Sequence, residues 1–383
     1  MNSKKKHKKY NLVSLFAGIG GFELAFERIA DTTLMCEIDS VAQQILKRHF
    51  SSIPLVDDIR DISALPDNTD ILCAGFPCQD LSSVGAKKGM SGTRSSLVKE
   101  VFRLLKTQKI EWVIIENVSF MLRLNKGETI DTITTELRQL GYKWAYRTID
   151  SISFVPQHRA RVFIVASLTH DPRNVLLSDN YDQTIGAVNY DVFESPLGFY
   201  WTEGKHALGL VQNAIPTLKA GSTIGIPSPP AIAFPNGEIA IPSICDAEAL
   251  QGFPRNWTLP AEEISKKNAR WKLVGNAVTV DTVSWIADKI TNPSLYDFSK
   301  DKIHKTGTNW PKAAWCSDSV IYESLSTMYP QRNNYQLEDY IQDEKTLLSL
   351  KATSGFVRRL REGNLKHPFY FDEILNEHIA KLK

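Results

Sequence analysis

Between Asn11 and Ser167 short apolar runs alternate with amphipathic stretches, and this alternation constrains the fold more than any other feature of the chain. LVSLF, LMCEI, DILCAG, WVIIEN and ARVFIVAS predict strands, whereas Phe22 to Ile29, Val41 to His49, Leu97 to Leu105 and Thr129 to Leu140 carry helical spacing. Strand and helix in turn predict an α/β domain, doubly wound around a mainly parallel sheet. Ligands of such sheets lie outside the carboxyl ends of the strands, so the chemistry is sought there.

Past Ser167 the regular pattern stops for about seventy residues, and Pro216, Pro227, Pro229, Pro230, Pro235 and Pro242 punctuate the chain. A loop-rich stretch of that length marks a functional segment or a small separate module. Helical periodicity returns near Thr279 to Ile290 and again in the last eighty or so residues, where Arg358, Arg359, Arg361 and Lys366 cluster. A length of 383 residues predicts two or three domains. With 43% hydrophobic and 23% charged residues, disorder, collagen and small disulfide scaffolds are excluded. Apolar runs such as Trp112 to Ile115 fall well short of the ~18 residues of a membrane span, and no apolar segment follows the N-terminal lysines. Neither a span nor a signal peptide is expected, and a cytoplasmic location follows. The five cysteines are scattered and never spaced Cys-x-x-Cys, which predicts reduced thiols and no metal site, and leaves one free to be a nucleophile. The net charge of +2 owes more than its whole value to Lys4, Lys5, Lys6, Lys8 and Lys9. That tail reads either as a solvated end or as a phosphate-contacting arm.

The strand ends carry distinctive residues. The first runs into Phe16-Ala17-Gly18-Ile19-Gly20-Gly21 just before a helix, where glycines permit a tight turn and close backbone approach to a ligand. The dinucleotide pattern Gly-x-Gly-x-x-Gly fails at Glu23, which disfavours a nicotinamide cofactor. Glu37-Ile38-Asp39 ends the second strand with carboxylates able to hold a ribose diol, and Asp58 offers a further acceptor. A nucleoside without a pyrophosphate, of which S-adenosylmethionine is the common case, satisfies this set. Gly75-Phe76-Pro77-Cys78-Gln79 places a cysteine at a strand end behind a conformation-fixing proline, a position suited to an exposed nucleophile. Cys73 reads as an inert core residue. Glu116-Asn117-Val118 ends the next strand, and Gln157-His158-Arg159-Ala160-Arg161 opens the last one with two arginines at alternate positions on one side.

Taken together these residues resemble the DNA cytosine-5 methyltransferase family over residues 11 to 167 and again over about 241 to 290. LFAGIGG, GFPCQ, ENV, QHRAR, LQGFP at Leu250 to Pro254 and GNAV at Gly275 to Val278 stand in that family's order and spacing. The resemblance implies a Rossmann-like methyltransferase fold and transfer of a methyl group from S-adenosylmethionine to carbon 5 of a cytosine flipped out of double-stranded DNA. Cys78 would add to carbon 6, making carbon 5 nucleophilic; Glu116 would serve ring N3; Arg161, helped by Arg159, would hold the base and its phosphate. Loss of the carbon 5 proton would then expel Cys78. The segment Gln79 to Ser96 would cover the base, with Gln79, Ser82, Lys87 and Arg94 meeting DNA. The family's cofactor site maps onto Phe16, Gly18 and Gly20 around the methionine part, Glu37 on the ribose, Ile38 against the adenine and Asp58 on its amino group. Asn276 and Val278 would close the pocket, although a structural turn accounts for Asn276 as well.

Two departures stand out. Where the family carries Arg-Glu before LQGFP, this chain has Cys245-Asp246, which drops an arginine from that scaffold. The segment between QHRAR and LQGFP, where the family holds its target recognition domain, is short, and the extension after GNAV is long. The expected divisions are a basic tail (1–10), a catalytic and cofactor domain (11–168) and a loop-rich recognition segment (169–240), then a return to the catalytic domain (241–292) and a mostly helical extension (293–383). Recognition is shared between 169–240 and the extension, with Arg358, Arg359 and Arg361 on DNA or, alternatively, on a solvated helix face. The expected partners are double-stranded DNA and a cognate restriction endonuclease, with the enzyme a monomer on DNA and no membrane involved. A tRNA methyltransferase of the same fold, or a silent DNA-binding relative, would share much of the pattern.

Overall fold

The computed structural model describes residues 10–77, 97–203, 205–221, 229–265, 268–305 and 307–383. The chain divides into two compact units. One runs to Ile149 and resumes at Ala160–Asn180 and Thr282–Pro330; the other takes Asp150–Arg159, Tyr181–Asp281 and Gln331–Lys383.

The first unit is built on a ten-stranded sheet. Its parallel half comprises β1 (Tyr10–Leu15), β2 (Ala30–Cys36), β3 (Leu55–Val56), β4 (Ile71–Ala74) and β5 (Trp112–Val118), in the order β5-β4-β1-β2-β3. Between them run α1 (Gly21–Phe26), α2 (Ser40–His49) and α3 (Leu97–Thr107), with α4 (Glu128–Gln139) after β5. Helix α3 shows why such stretches fold as they do: Val98, Val101, Phe102, Leu104 and Leu105 fall on one face and are buried. The order reverses between β1 and β4, the switch point where open α/β sheets leave a crevice for a ligand.

Beyond β5 the sheet changes character. Ala160–Ser167 pairs antiparallel with β5, β6 (Lys143–Asp150) lies next, and Ala313–Ser317, Val320–Glu323 and Lys302–Ile303 add an antiparallel edge. The first part of the C-terminal extension is therefore strand, and its two long helices come later, at Leu350–Gly363 and Phe369–Lys381. Arg147 in β6 is fully buried, and its guanidinium donates to the carbonyls of Thr327, Leu176 and Asp179 at 2.7–2.8 Å. One side chain thus ties two separate segments of this unit to the sheet.

The second unit carries a five-stranded antiparallel sheet of Val211–Gln212, Leu197–Phe199, Ala231–Ala233, Ile239–Ile241 and Thr346–Leu347. The two C-terminal helices cover it: Phe356 and Phe371 pack on Phe199 with ring centroids 5.0 and 5.1 Å away. Four of the five strands lie in the stretch where the sequence shows only prolines and loops, and the fifth, Thr346–Leu347, comes from the C-terminal extension. Residues 241–281 belong to this unit. No helix among the described residues is long and apolar enough to cross a membrane.

Glu23, in the first turn of α1, is 2% exposed, and burial pushes its carboxyl up to about 7. An unfolded glutamate titrates near 4.5, so the folded state holds the extra proton between those values. Its contribution to stability is complete below about 4.5 and is lost as pH rises to about 7, on the order of 3 kcal/mol in all. Urea unfolding of Glu23→Gln beside the wild type should show the variant gaining by that order between pH 5 and pH 8. Parallel pH dependences for the two proteins would contradict it.

Candidate active site

The parallel register puts Cys36, Leu15, Ala74 and Ile115 abreast on four neighbouring strands. One residue further along each strand stand Glu37, Phe16, Gly75 and Glu116, so the candidate residues of four separate motifs form a row along the carboxyl edge. Gly75 sits close to both neighbours: a Cβ on it would lie 3.5 Å from the Phe22 ring and 3.6 Å from Glu116 Oε2, in van der Waals contact with each.

The loop after β1 winds tightly. Phe16, Gly18 and Gly20 all have positive φ, at 59°, 57° and 90°. A Cβ on Gly20 would lie 2.5 Å from the Phe50 ring, and no side chain fits both that backbone and that space. Phe16 packs edge-on against Phe76, with centroids 6.3 Å apart.

Glu37 is anchored by the backbone. Its Oε2 accepts from Gly18 N–H at 2.7 Å and its Oε1 from Asp39 N–H at 2.8 Å. Burial is the largest influence on its carboxyl and raises its pKa, while the backbone N–H groups of Asp39, Gly18 and Ile38 act against that. A carboxylate offers about four acceptor positions. Positions beyond these backbone donors suit the hydroxyls of a ribose diol. Ile38 beside it is 68% exposed, an apolar face suited to a base ring. Asp58 caps the turn Ile59–Asp61, accepting from Arg60 N–H at 2.9 Å, and the Arg60 guanidinium beside it holds its carboxyl below the usual range. These residues suit a nucleoside, and a pyrophosphate cradle is not needed.

Glu116 is 9% exposed and pairs with Arg161, Nε to Oε1 at 3.2 Å. Asn117 donates from Nδ2 to the carbonyl of Phe76 at 2.9 Å, tying β5 to the loop that leads to Cys78. The ENV motif contains this asparagine, but only the fold shows its work. Cys78, Gln79, Ser82, Lys87 and Arg94 lie outside the described residues.

The remaining motifs meet inside the second unit. Arg159 is 1% exposed, and its guanidinium donates to the carbonyls of Leu218, Gly275 and Ala277 at 3.1, 3.2 and 2.7 Å. The sequence pattern sets Arg159 beside Arg161 on a base and its phosphate; the structure gives them separate partners, carbonyls for one and Glu116 for the other. Gln157 Nε2 reaches Leu250 O at 3.0 Å and Gln251 Oε1 at 2.5 Å, while Gln251 donates to Ala277 O at 2.6 Å. QHRAR, LQGFP and GNAV are thereby locked together by buried hydrogen bonds. Asn276 ends the helix Ala269–Asn276 with its side chain exposed, and Val278 is half-buried.

Where the arginine before LQGFP is missing, other arginines serve. Asp246 is fully buried and pairs with Arg255 at 2.7 Å, and Glu248 pairs with Arg270 at 2.9 Å. In the C-terminal cluster Arg358 and Arg361 are exposed, whereas Arg359 donates to the carbonyls of Glu203 and Trp201 at 2.8 and 2.7 Å.

A family model described as C-5 cytosine-specific DNA methylase matches residues 10–206. The type II methyltransferase M2.BsuMI of Bacillus subtilis (strain 168) is 40% identical over 381 residues, covering 95% of this chain and 96% of that protein. The type II methyltransferase M.NlaX of Neisseria lactamica is 31% identical over 310 residues, covering 73% of this chain and 96% of that protein. Among solved structures, a DNMT2 mutant from Spodoptera frugiperda aligns at a TM-score of 0.55 with 15% identity, over 74% of this chain and 100% of its own. S. pombe Dnmt2 aligns at 0.54 with 16% identity, over 74% and 99%.

The anchored carboxylate of Glu37 makes a prediction that separates charge from shape. Glu37→Gln keeps the size but turns an NH2 toward either Gly18 N–H or Asp39 N–H, donor against donor. Since a hydrogen bond to a charged group contributes ~1.5–3 kcal/mol, both Glu37→Gln and Glu37→Ala should bind S-adenosylmethionine at least about ten-fold more weakly by calorimetry. Wild-type affinity in either variant would remove Glu37 from the site.

Proposed function

Because this chain belongs to the family of C-5 cytosine-specific DNA methylases, and so methylates carbon 5 of cytosine in DNA, we propose the following division of labour among its residues. Cys78 is the nucleophile that adds to carbon 6 of the flipped-out cytosine, and Glu116 faces ring N3. Arg161 orients Glu116 and supplies positive charge near the base and its phosphate. The observation that carries this reading is the row Glu37, Phe16, Gly75 and Glu116, which aligns the cofactor motif, the cysteine motif and the acid motif on one sheet edge.

S-adenosylmethionine, the methyl donor that the family implies, supplies an electrophilic methyl group when bound. Phe16, Gly18 and Gly20 would surround its methionine part, Glu37 would take the ribose hydroxyls, and Ile38 and Asp58 would take the adenine. Asn276 and Val278 are assigned to the same pocket by the family pattern. Arg159 acts as a positioning residue: its carbonyl bonds hold the GNAV backbone that carries those two.

Gln79, Ser82, Lys87 and Arg94 contact DNA from the segment that covers the base. Sequence recognition belongs to the 169–240 segment and the C-terminal helices, with Arg358 and Arg361 on phosphates; Arg359 braces the helix it sits on. The type II names of the curated relatives favour a restriction-modification setting with a cognate endonuclease. We place the enzyme in the cytoplasm, as a monomer on DNA.

Labelled methyl from S-adenosylmethionine should reach duplex DNA and not tRNA, Cys78→Ala should abolish transfer, and 5-fluorocytosine duplex should trap the wild type covalently. Methylation by Cys78→Ala would refute the nucleophile; transfer to tRNA alone would refute the substrate. For recognition, Arg358→Gln with Arg361→Gln should weaken duplex binding and flatten its salt dependence by about one to two in log–log slope. An unchanged slope would return recognition to the 169–240 segment.

A further inference from the structure

We propose that Arg60 is a positioning residue for the adenine amino group, acting by leaving Asp58 a single direction in which to accept a hydrogen bond. The inference rests on the cofactor reading above and extends it to a residue outside the family motifs.

The two carboxylates of the cofactor edge are filled in different ways. Among the described residues Glu37 is held only by backbone N–H groups, those of Gly18, Asp39 and Ile38. Asp58 is held by a side chain as well. Its Oδ1 accepts from Arg60 N–H at 2.9 Å and from Arg60 Nε at 2.9 Å, and its Oδ2 accepts from Arg60 Nη2 at 2.5 Å, with Nε also 3.0 Å away. Of about four positions on a carboxylate, Arg60 takes three. Among the described residues one remains, on Oδ2. An exocyclic amine offers one N–H toward a given oxygen, so the free capacity of Asp58 matches the group assigned to it.

The clamp is local and rests on a fixed base. Residues 58 and 60 are two apart, so the fork closes without help from distant segments. The turn beneath it is held from α3, where Arg103 Nη2 donates to the carbonyls of Ile59 and Ile62 at 3.2 and 2.8 Å, and Ile59 is 2% exposed. Loss of the Arg60 side chain, which is 60% exposed, leaves these contacts in place. The charge also keeps Asp58 ionised, since the Arg60 bonds lower its pKa. Arginine suits this task and lysine does not, because only a planar fork fixes two oxygens at once.

The test is calorimetric binding of S-adenosylhomocysteine against its purine analogue lacking the 6-amino group, which removes one donor and changes little else. The wild type should prefer the adenine form by about ten-fold or more, the range of a hydrogen bond to a charged group. Arg60→Ala should reduce that preference to about three-fold or less with an unchanged melting temperature, and Arg60→Lys should resemble Ala. Asp58→Ala should abolish the preference. If Asp58→Ala abolishes it while Arg60→Ala keeps it whole, or if Lys restores it fully, the role given to Arg60 is overturned and the cofactor reading stands. If the wild type has no preference, or Asp58→Ala retains it, the assignment of Asp58 to the adenine fails, and this inference with it.

Discussion

The site depends first on the register of four parallel strands. In a strand successive side chains point to opposite faces, so a slip of one residue would send every side chain to the other face, against a different packing layer. The apolar runs of β1, β2, β4 and β5 fill the sheet interior, with Leu12, Leu15, Ile71, Leu72, Ile114 and Ile115 fully buried, and that burial pins the pairing. Once Leu15, Cys36, Ala74 and Ile115 stand abreast, the residues that follow them must emerge together. The chemistry at the edge is thus a by-product of hydrophobic packing several residues away.

The second unit solves a different problem. Its motifs are polar and far apart in sequence, and they are joined by buried donors and acceptors. Each unpaired member of such a network costs the full desolvation of a polar group, so the arrangement is either complete or strongly unfavourable. Arg159 and the pair Gln157 and Gln251 supply the donors, and the carbonyls of Leu218, Leu250, Gly275 and Ala277 receive them. The ion pairs of Asp246 and Glu248 show the same economy: an acid that loses its nearby arginine still has to be neutralised when fully buried, and Arg255 and Arg270 do so from further along the chain.

This difference explains what could be read from sequence. Strands buried on both faces announce themselves as apolar runs, and the row of site residues sits at their ends. Strand β6 does not: Lys143 to Asp150 contains Arg147 and Asp150, polar residues buried only because tertiary partners satisfy them. The outermost strands of the antiparallel edge, Lys302–Ile303 and Val320–Glu323, are likewise exposed or half-exposed, so no buried apolar run announces them. Within the site, the carboxylates were legible and their occupancy was not. That Arg60 clamps Asp58, that Asn117 grips Phe76 O and that Arg359 turns inward are consequences of side-chain geometry, for which residue type is no guide.

The interleaving of the two units bears on how the chain is made. It passes between them five times, and neither unit is a continuous segment. The sheet of the first is completed only by residues 302–323, and that of the second only by Thr346–Leu347 and the two helices behind it. A ribosome releasing the chain from its N-terminus therefore delivers the parallel core early, with strand β6 still open toward its missing neighbour Ala313–Ser317. Neither unit can close until most of the polypeptide has emerged, and no single cut yields an intact one. Maturation of this enzyme is a late event in its own synthesis, and the parallel half must persist as a partly built sheet until the last hundred residues arrive.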